Sequence, residues 1–131
     1  MRMKTMSSLA ISSLAALATL SVATPAVAHH STAAFDMEKT IEITGTVEDF
    51  QWTNPHTWTN VKVDGSDESA GIYGLEGMSP NYLGRNGWTK TTLKPGDVVT
   101  GTGYQFSDGQ KIIRLERVVL SDGKEMRVYG R

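Results

Sequence analysis

The sequence predicts a mostly β domain with one short helix, preceded by an export signal. Segments in which apolar and polar residues alternate recur from residue 40 onward, which is typical of half-buried strands. Turn-forming residues separate these segments, and a single helix-start signal, Ser79-Pro80, lies between them. The chain has no cysteine. Its stability therefore has to come from an ordinary hydrophobic core rather than from disulfides.

The first 28 residues have the order of a cleavable signal peptide. Arg2 and Lys4 provide a basic start, an apolar and small-residue run covers 9–22, and Ala26-Val27-Ala28 precedes His29. This order of basic, apolar and Ala-x-Ala segments is the one that signal peptidase cleaves. We therefore expect a signal peptide at 1–28 and a single mature domain at 29–131, with an extended lead-in at 29–39.

The alternative for the N-terminal run is a membrane anchor. A spanning helix needs about 20 strongly apolar residues, and serine and threonine interrupt this run repeatedly. No later segment is apolar enough to span, so we expect no membrane span after cleavage. We expect a periplasmic protein in preference to a fully secreted one.

The mature chain would have 103 residues, enough for one domain. Loss of Arg2 and Lys4 leaves 11 basic residues against 14 acidic ones, a net charge of −3 with histidine neutral. A nucleic-acid-binding domain is expected to have a basic face. The acidic balance therefore argues against a nucleic-acid partner.

The first predicted strand covers residues 40–49. Ile41, Ile43 and Val47 share one face, while polar residues occupy the other. At Phe50 the alternation shifts by one residue, so that the apolar side chains move from odd-numbered to even-numbered positions. Such a shift predicts a β-bulge. Phe35 is expected to anchor the lead-in onto the domain.

The remaining elements follow from local signals. Ser79 is a predicted helix N-cap, Pro80 occupies the first helical position, and Gly87 is a predicted terminator. Further strands are expected at 57–63, 70–76, 98–106 and 111–120, with a final arm containing Met126, Val128 and Tyr129. Five to six strands with a helix between strands 3 and 4 is the element order of the small OB-fold barrel. An open β-sandwich is the alternative.

Few residues are arranged for catalysis. The sequence contains no nucleophile elbow, phosphate-binding glycine loop or HExxH motif. Glu48-Asp49 and Asp67-Glu68 are most simply solvated charges. Gly101-Thr102-Gly103 is best explained by small residues where a barrel bends or packs tightly. We therefore assign no catalytic residue.

The three histidines suggest a metal site. Cleavage would place a free α-amine and an imidazole on His29, and both groups lose protons near neutral pH. Together they form a bidentate nitrogen chelate, which His56, placed after Asn54-Pro55, would complete. This set is similar to the histidine brace of copper proteins, and nitrogen ligands without thiolate suit divalent copper. His30 competes with His29, because an amine followed by histidine at the second position also chelates.

Simpler explanations exist for the same residues. Histidine after a cleavage site is also compatible with a polar chain start, and His56 with a turn cap. Trp52, Trp58 and Trp88 are expected to pack in the core or at its rim, and the alternative is an aromatic wall around a pocket that holds His56.

Several segments together resemble domain of unknown function 6152, a family of small exported bacterial proteins. The matching segments are His29-His30-Ser31, Phe35-Asp36, Gly45-Thr46-Val47, Trp52-Thr53-Asn54-Pro55-His56, Ser79-Pro80-Asn81, Arg85-Asn86-Gly87-Trp88-Thr89 and Leu93-Lys94-Pro95-Gly96-Asp97. The resemblance implies export, an OB-like barrel and one domain, and it implies no established activity. It marks His29, His30 and His56 as the positions of interest.

Two functional hypotheses follow. The first is a periplasmic protein that binds copper through His29 and His56, with His30 as a further candidate ligand. The second is a metal-free OB-like module that binds an envelope protein or a small ligand. An enzyme ranks third: a copper brace could in principle activate oxygen, but no polysaccharide-binding surface can be read from the sequence.

Overall fold

The computed structural model describes residues 32–130, and within them the chain is mostly β with one short helix. A 3₁₀ turn, Thr32–Ala34, precedes the first strand. The strands are β1 (Phe35–Gln51), β2 (Trp58–Val63), β3 (Gly71–Glu76), β4 (Val98–Phe106), β5 (Ile112–Val119) and β6 (Glu125–Arg127), and the helix α1 (Pro80–Arg85) lies between β3 and β4. No helix in this part of the chain is long and apolar enough to cross a membrane.

All six strands belong to one sheet, in the order β3-β2-β1-β4-β5-β6. Neighbours in this order pair antiparallel. One further pairing, between β3 and β5, is parallel and matches Leu75 with Ile113. This pairing links the first strand of the order to the fifth, so the sheet bends back onto itself.

Strand β1 is longer than the sequence predicts, because it begins at Phe35 rather than at Thr40. Phe35 lies opposite Phe106 of β4, and the register then shifts before Thr40. The predicted lead-in therefore contributes its last residues to the sheet. The predicted bulge is confirmed, since the β1–β2 register shifts between Val47 and Asp49.

The core follows the predicted alternation. Ile43 and Val47 are buried, and Ile41 packs against the core from a half-buried position. Phe35 is buried, as expected of an anchor. The glycines of the Gly101–Gly103 segment are packing positions, because a side chain at Gly103 would collide with the Arg114 carbonyl oxygen.

The helix begins as predicted. The Ser79 hydroxyl accepts a hydrogen bond from the Tyr82 amide, and Pro80 occupies the first turn. Leu83 is buried under the helix. Gly87 follows the helix with φ of +83°, a left-handed conformation that favours glycine.

Candidate functional site

His56 lies in the connection between β1 and β2. A cis peptide bond joins Asn54 to Pro55 immediately before it. The next residue, Thr57, is buried and tied to the segment after β3: its amide and its hydroxyl both donate to the Met78 carbonyl at 3.1 Å, and its own carbonyl accepts from Gly77 at 2.9 Å. These bonds hold the backbone beside His56 in a defined position.

The carboxylate of Glu76, the last residue of β3, contacts the imidazole of His56. The distance from Nδ1 of His56 to Oε1 of Glu76 is 2.6 Å, and the two side chains are 27% and 11% exposed. Nδ1 itself is buried. In a neutral imidazole one nitrogen donates and the other accepts, so a carboxylate facing Nδ1 favours the tautomer with its lone pair on Nε2.

Strand register explains why these two residues meet. Residue 76 closes β3 and lies opposite Trp58, the first residue of β2. His56 precedes Trp58 by two positions, so the antiparallel β2–β3 pairing brings the turn to the end of β3. The indole of Trp58 is oriented by a hydrogen bond from Nε1 to Oδ1 of Asn60 at 2.9 Å, and it packs against Gly74.

A cavity of about 450 Å³ opens beside this pair. Its lining residues are Phe35, Pro55, His56, Trp58, Glu76, Phe106, Gln110 and Ile112. Phe35 and Phe106 meet edge to face, with ring centroids 5.3 Å apart and an interplanar angle of 82°. The site is therefore a largely apolar pocket with a few polar groups, the usual composition of a small-molecule site.

Of the histidines selected from the sequence, the structure describes only His56. His29 and His30 lie outside the described residues. Within residues 32–130 no group of three or more histidine, aspartate or glutamate side chains is placed to hold a metal ion. His56 and Glu76 form a pair, so a metal centre here would need ligands from elsewhere in the chain.

The tryptophans divide between the pocket and the core. Trp58 lines the pocket with His56. Trp88 is 3% exposed and donates from Nε1 to the Arg127 carbonyl at 2.7 Å. Trp52 is half-buried and packs on Phe50. The aromatic wall thus contains one of the three tryptophans.

Sequence reasoning missed Glu76, Phe106 and the pocket role of Phe35. A signal for Glu76 was present in the sequence, because this carboxylate directly follows the apolar Leu75 at the end of a predicted strand. The structure buries the last four residues of that strand. A buried charge usually has a partner. Of the carboxylates that the sequence analysis named, Glu48, Asp67 and Glu68 are exposed as expected, and Asp49 is half-buried.

Comparisons with known proteins agree with the resemblance found in the sequence. None of the curated proteins compared with the chain matches it. A family model described as a family of unknown function (DUF6152) matches residues 16–113, about three quarters of the chain. The match includes the Asn54-Pro55-His56 turn and all eight residues that line the pocket. On this evidence the chain belongs to the family of unknown function DUF6152.

Proposed function

We propose that the chain is an exported, periplasmic binding protein that holds a copper ion through the processed N-terminus and His56. The ligands are the α-amine and imidazole of His29 and the imidazole of His56, and His30 is the alternative partner of the amine. The domain that carries this site is proposed to be an OB-like barrel. The β3–β5 pairing and the position of α1 between β3 and β4 support that fold.

The observation that carries the proposal is the contact between Glu76 and His56. Metal-ligating histidines usually donate their second ring N–H to a carboxylate or a carbonyl, which sets the tautomer and the ring orientation. Glu76 Oε1 lies 2.6 Å from Nδ1 of His56, which puts a carboxylate at the second ring nitrogen in the same way. It would make Nε2 the metal ligand and Glu76 the group that orients it.

The position of Phe35 also supports the proposal. Phe35 lines the same cavity as His56, and only five residues separate it from His29 along the chain. Three of the intervening residues form the Thr32–Ala34 3₁₀ turn, which leads into Phe35. The chain thus enters β1 at the wall of the cavity that contains His56, with only a short segment between that wall and the processed terminus.

A metal-free binding module remains the second candidate. The observation that favours it is the cavity wall, in which five of the eight lining residues are apolar: Phe35, Pro55, Trp58, Phe106 and Ile112. A wall of this composition suits a small ligand or an inserted side chain of an envelope protein without any metal. We assign no catalytic step to either candidate.

The test begins with the protein purified from the periplasm. Intact mass should give a chain that starts at His29. Copper is then titrated into this protein and into a form with one extra residue before His29, with detection of nitrogen ligation by electron paramagnetic resonance. The extension should weaken binding sharply, because it removes the α-amine from the chelate ring.

Variants separate the ligands. His56→Ala should also weaken copper binding sharply, and Glu76→Gln should weaken it by about 10–100-fold through loss of orientation. His30→Ala should have a smaller effect if the amine pairs with His29, and a larger one if His30 is its partner. A chain that starts at Ser31 or beyond, or equal copper affinity of the native and extended proteins, would refute the copper site. The metal-free module would then be the better proposal.

A further inference from the structure

The cavity beside His56 has an electrostatic character that suits a cation. Glu76 is the one carboxylate among its eight lining residues, and none of them is lysine or arginine. The remaining polar groups are the His56 imidazole and the Gln110 amide. The lining therefore offers an anionic ligand no lysine or arginine, and its one imidazole already contacts Glu76, while a cationic ligand meets the Glu76 carboxylate.

Three aromatic side chains, those of Phe35, Trp58 and Phe106, form the rest of the recognition surface. Aromatic faces carry a negative quadrupole that attracts cations, with indole the most effective ring. The indole of Trp58 is held by its bond to Asn60 and by packing on Gly74. The two phenylalanine rings fix each other through their edge-to-face contact. The aromatic surface is thus ordered before a ligand arrives.

Trp58 and the carboxylate lie side by side. Residues 58 and 76 are direct partners in the β2–β3 register, so the best cation-binding ring lies next to the anionic group. Neighbouring aromatic faces and a carboxylate are the elements by which proteins recognise alkylammonium groups.

We propose that this cavity binds a small organic cation of the quaternary ammonium class. Glu76 already contacts His56, and a quaternary nitrogen has no N–H to be satisfied, so charge and aromatic contact are enough to hold it. This inference rests on the part of the proposed function that makes the cavity a binding site. It does not use the proposed His29 ligands, and it shares with the copper proposal the Glu76 carboxylate that contacts His56.

The test compares two probes that differ in charge alone. Choline and its neutral isostere 3,3-dimethyl-1-butanol are titrated by calorimetry into the processed protein with a chelator present, so that no metal takes part. Choline should bind about tenfold more tightly, the effect expected of a desolvated cation–π contact. Equal binding of the two probes, or no binding of choline at millimolar concentration, would overturn the proposal.

Variants locate the site. Trp58→Leu and Glu76→Gln should each weaken choline binding about tenfold. Their controls are Trp52→Leu, which changes a tryptophan outside the cavity, and Glu68→Gln, which changes an exposed carboxylate. If Trp58→Leu fails to fold, as judged by circular dichroism, Phe106→Leu replaces it. Choline affinity that is unchanged in both cavity variants would refute the assignment.

The outcome can be separated from that of the copper proposal. The one-residue N-terminal extension removes the amine chelate and leaves the aromatic wall and Glu76 intact. It should abolish tight copper binding while leaving choline affinity within about twofold, since no proposed choline contact changes. If the protein binds copper normally but binds choline no more tightly than 3,3-dimethyl-1-butanol, only the ammonium site is refuted.

Discussion

At the scale of single residues, Gly74 shows how closely the pocket wall is packed. A methyl group at this position would collide with the six-membered ring of the Trp58 indole. Gly74→Ala therefore has to displace the indole or the strand. We expect a loss of about 1–3 kcal/mol in the free energy of unfolding, the usual result of overpacking, measured by denaturant titration.

Gly84 is the matched control, since it tests the same substitution without a steric conflict. It lies in α1, and a Cβ there would meet no atom within 4 Å. Gly84→Ala should stabilise the protein by up to about 1 kcal/mol, because alanine has the higher helix propensity. If Gly74→Ala and Gly84→Ala change the free energy of unfolding equally, contact with the Trp58 indole is not the reason why residue 74 is glycine.

Tyr104 and Glu116 provide a second test at the residue scale. The charge of Glu116 raises the pKa of the Tyr104 hydroxyl above its ordinary value, with smaller contributions from desolvation and from a hydrogen bond to Glu116. Glu116→Gln should bring this pKa back towards about 10. Ultraviolet titration of the phenolate, with Tyr104→Phe to identify its signal, measures the shift.

The sign of the linked stability effect follows from proton binding. With its pKa raised, the folded state holds the Tyr104 proton more tightly than the unfolded state does. The free energy of unfolding should therefore decline as the pH rises above about 10, and less steeply in Glu116→Gln. A pKa in the Glu116→Gln protein equal to the native one would contradict the charge effect.

At the scale of elements, β1 organises the sheet. Its 17 residues pair with β4 through Phe35–Thr46 and with β2 through Thr46–Gln51, and the register shift after Val47 falls within the β2 pairing. A bulge bends a strand and increases its twist. One continuous strand can thus pair with β4 along its first part and with β2 along its last part.

Ile43 tests the core contribution of β1. This side chain is 8% exposed and belongs to the main hydrophobic cluster. Ile43→Ala should lower the free energy of unfolding by about 2–5 kcal/mol. Glu48→Ala, at an exposed position of the same strand, should change it by less than about 0.5 kcal/mol. A small effect of Ile43→Ala in denaturant titration would contradict the assignment of this face to the core.

At the scale of the whole molecule, the net charge predicts whether the protein binds nucleic acid. OB-like barrels often bind single-stranded nucleic acid, through a basic groove and stacking aromatics. The predicted mature chain instead has a net charge of −3. We expect no salt-sensitive binding of an unrelated single-stranded oligonucleotide in a fluorescence anisotropy titration. Tight binding that weakens steeply with salt would show that local basic groups outweigh the net charge.

The sequence by itself determined the elements of this protein. Strand alternation, the bulge after Val47, the Ser79 cap and the Gly87 stop are local signals, each readable within a few residues. Their positions were therefore predictable, apart from the early start of β1. The Phe35–Lys39 segment has weak alternation, and it enters the sheet because β4 offers Phe106 as a partner.

The site was predictable only in part, because most of it is non-local. The histidine turn could be identified from Asn54-Pro55-His56, but the Glu76 carboxylate is 20 residues further along and the Phe35–Phe106 pair is 71 residues apart. Only strand register decides such contacts: the β2–β3 and β1–β4 pairings bring these side chains to one cavity. A pairing shifted by a single residue would turn each side chain to the opposite face of the sheet. For this reason the chemistry of the pocket is a property of the tertiary structure.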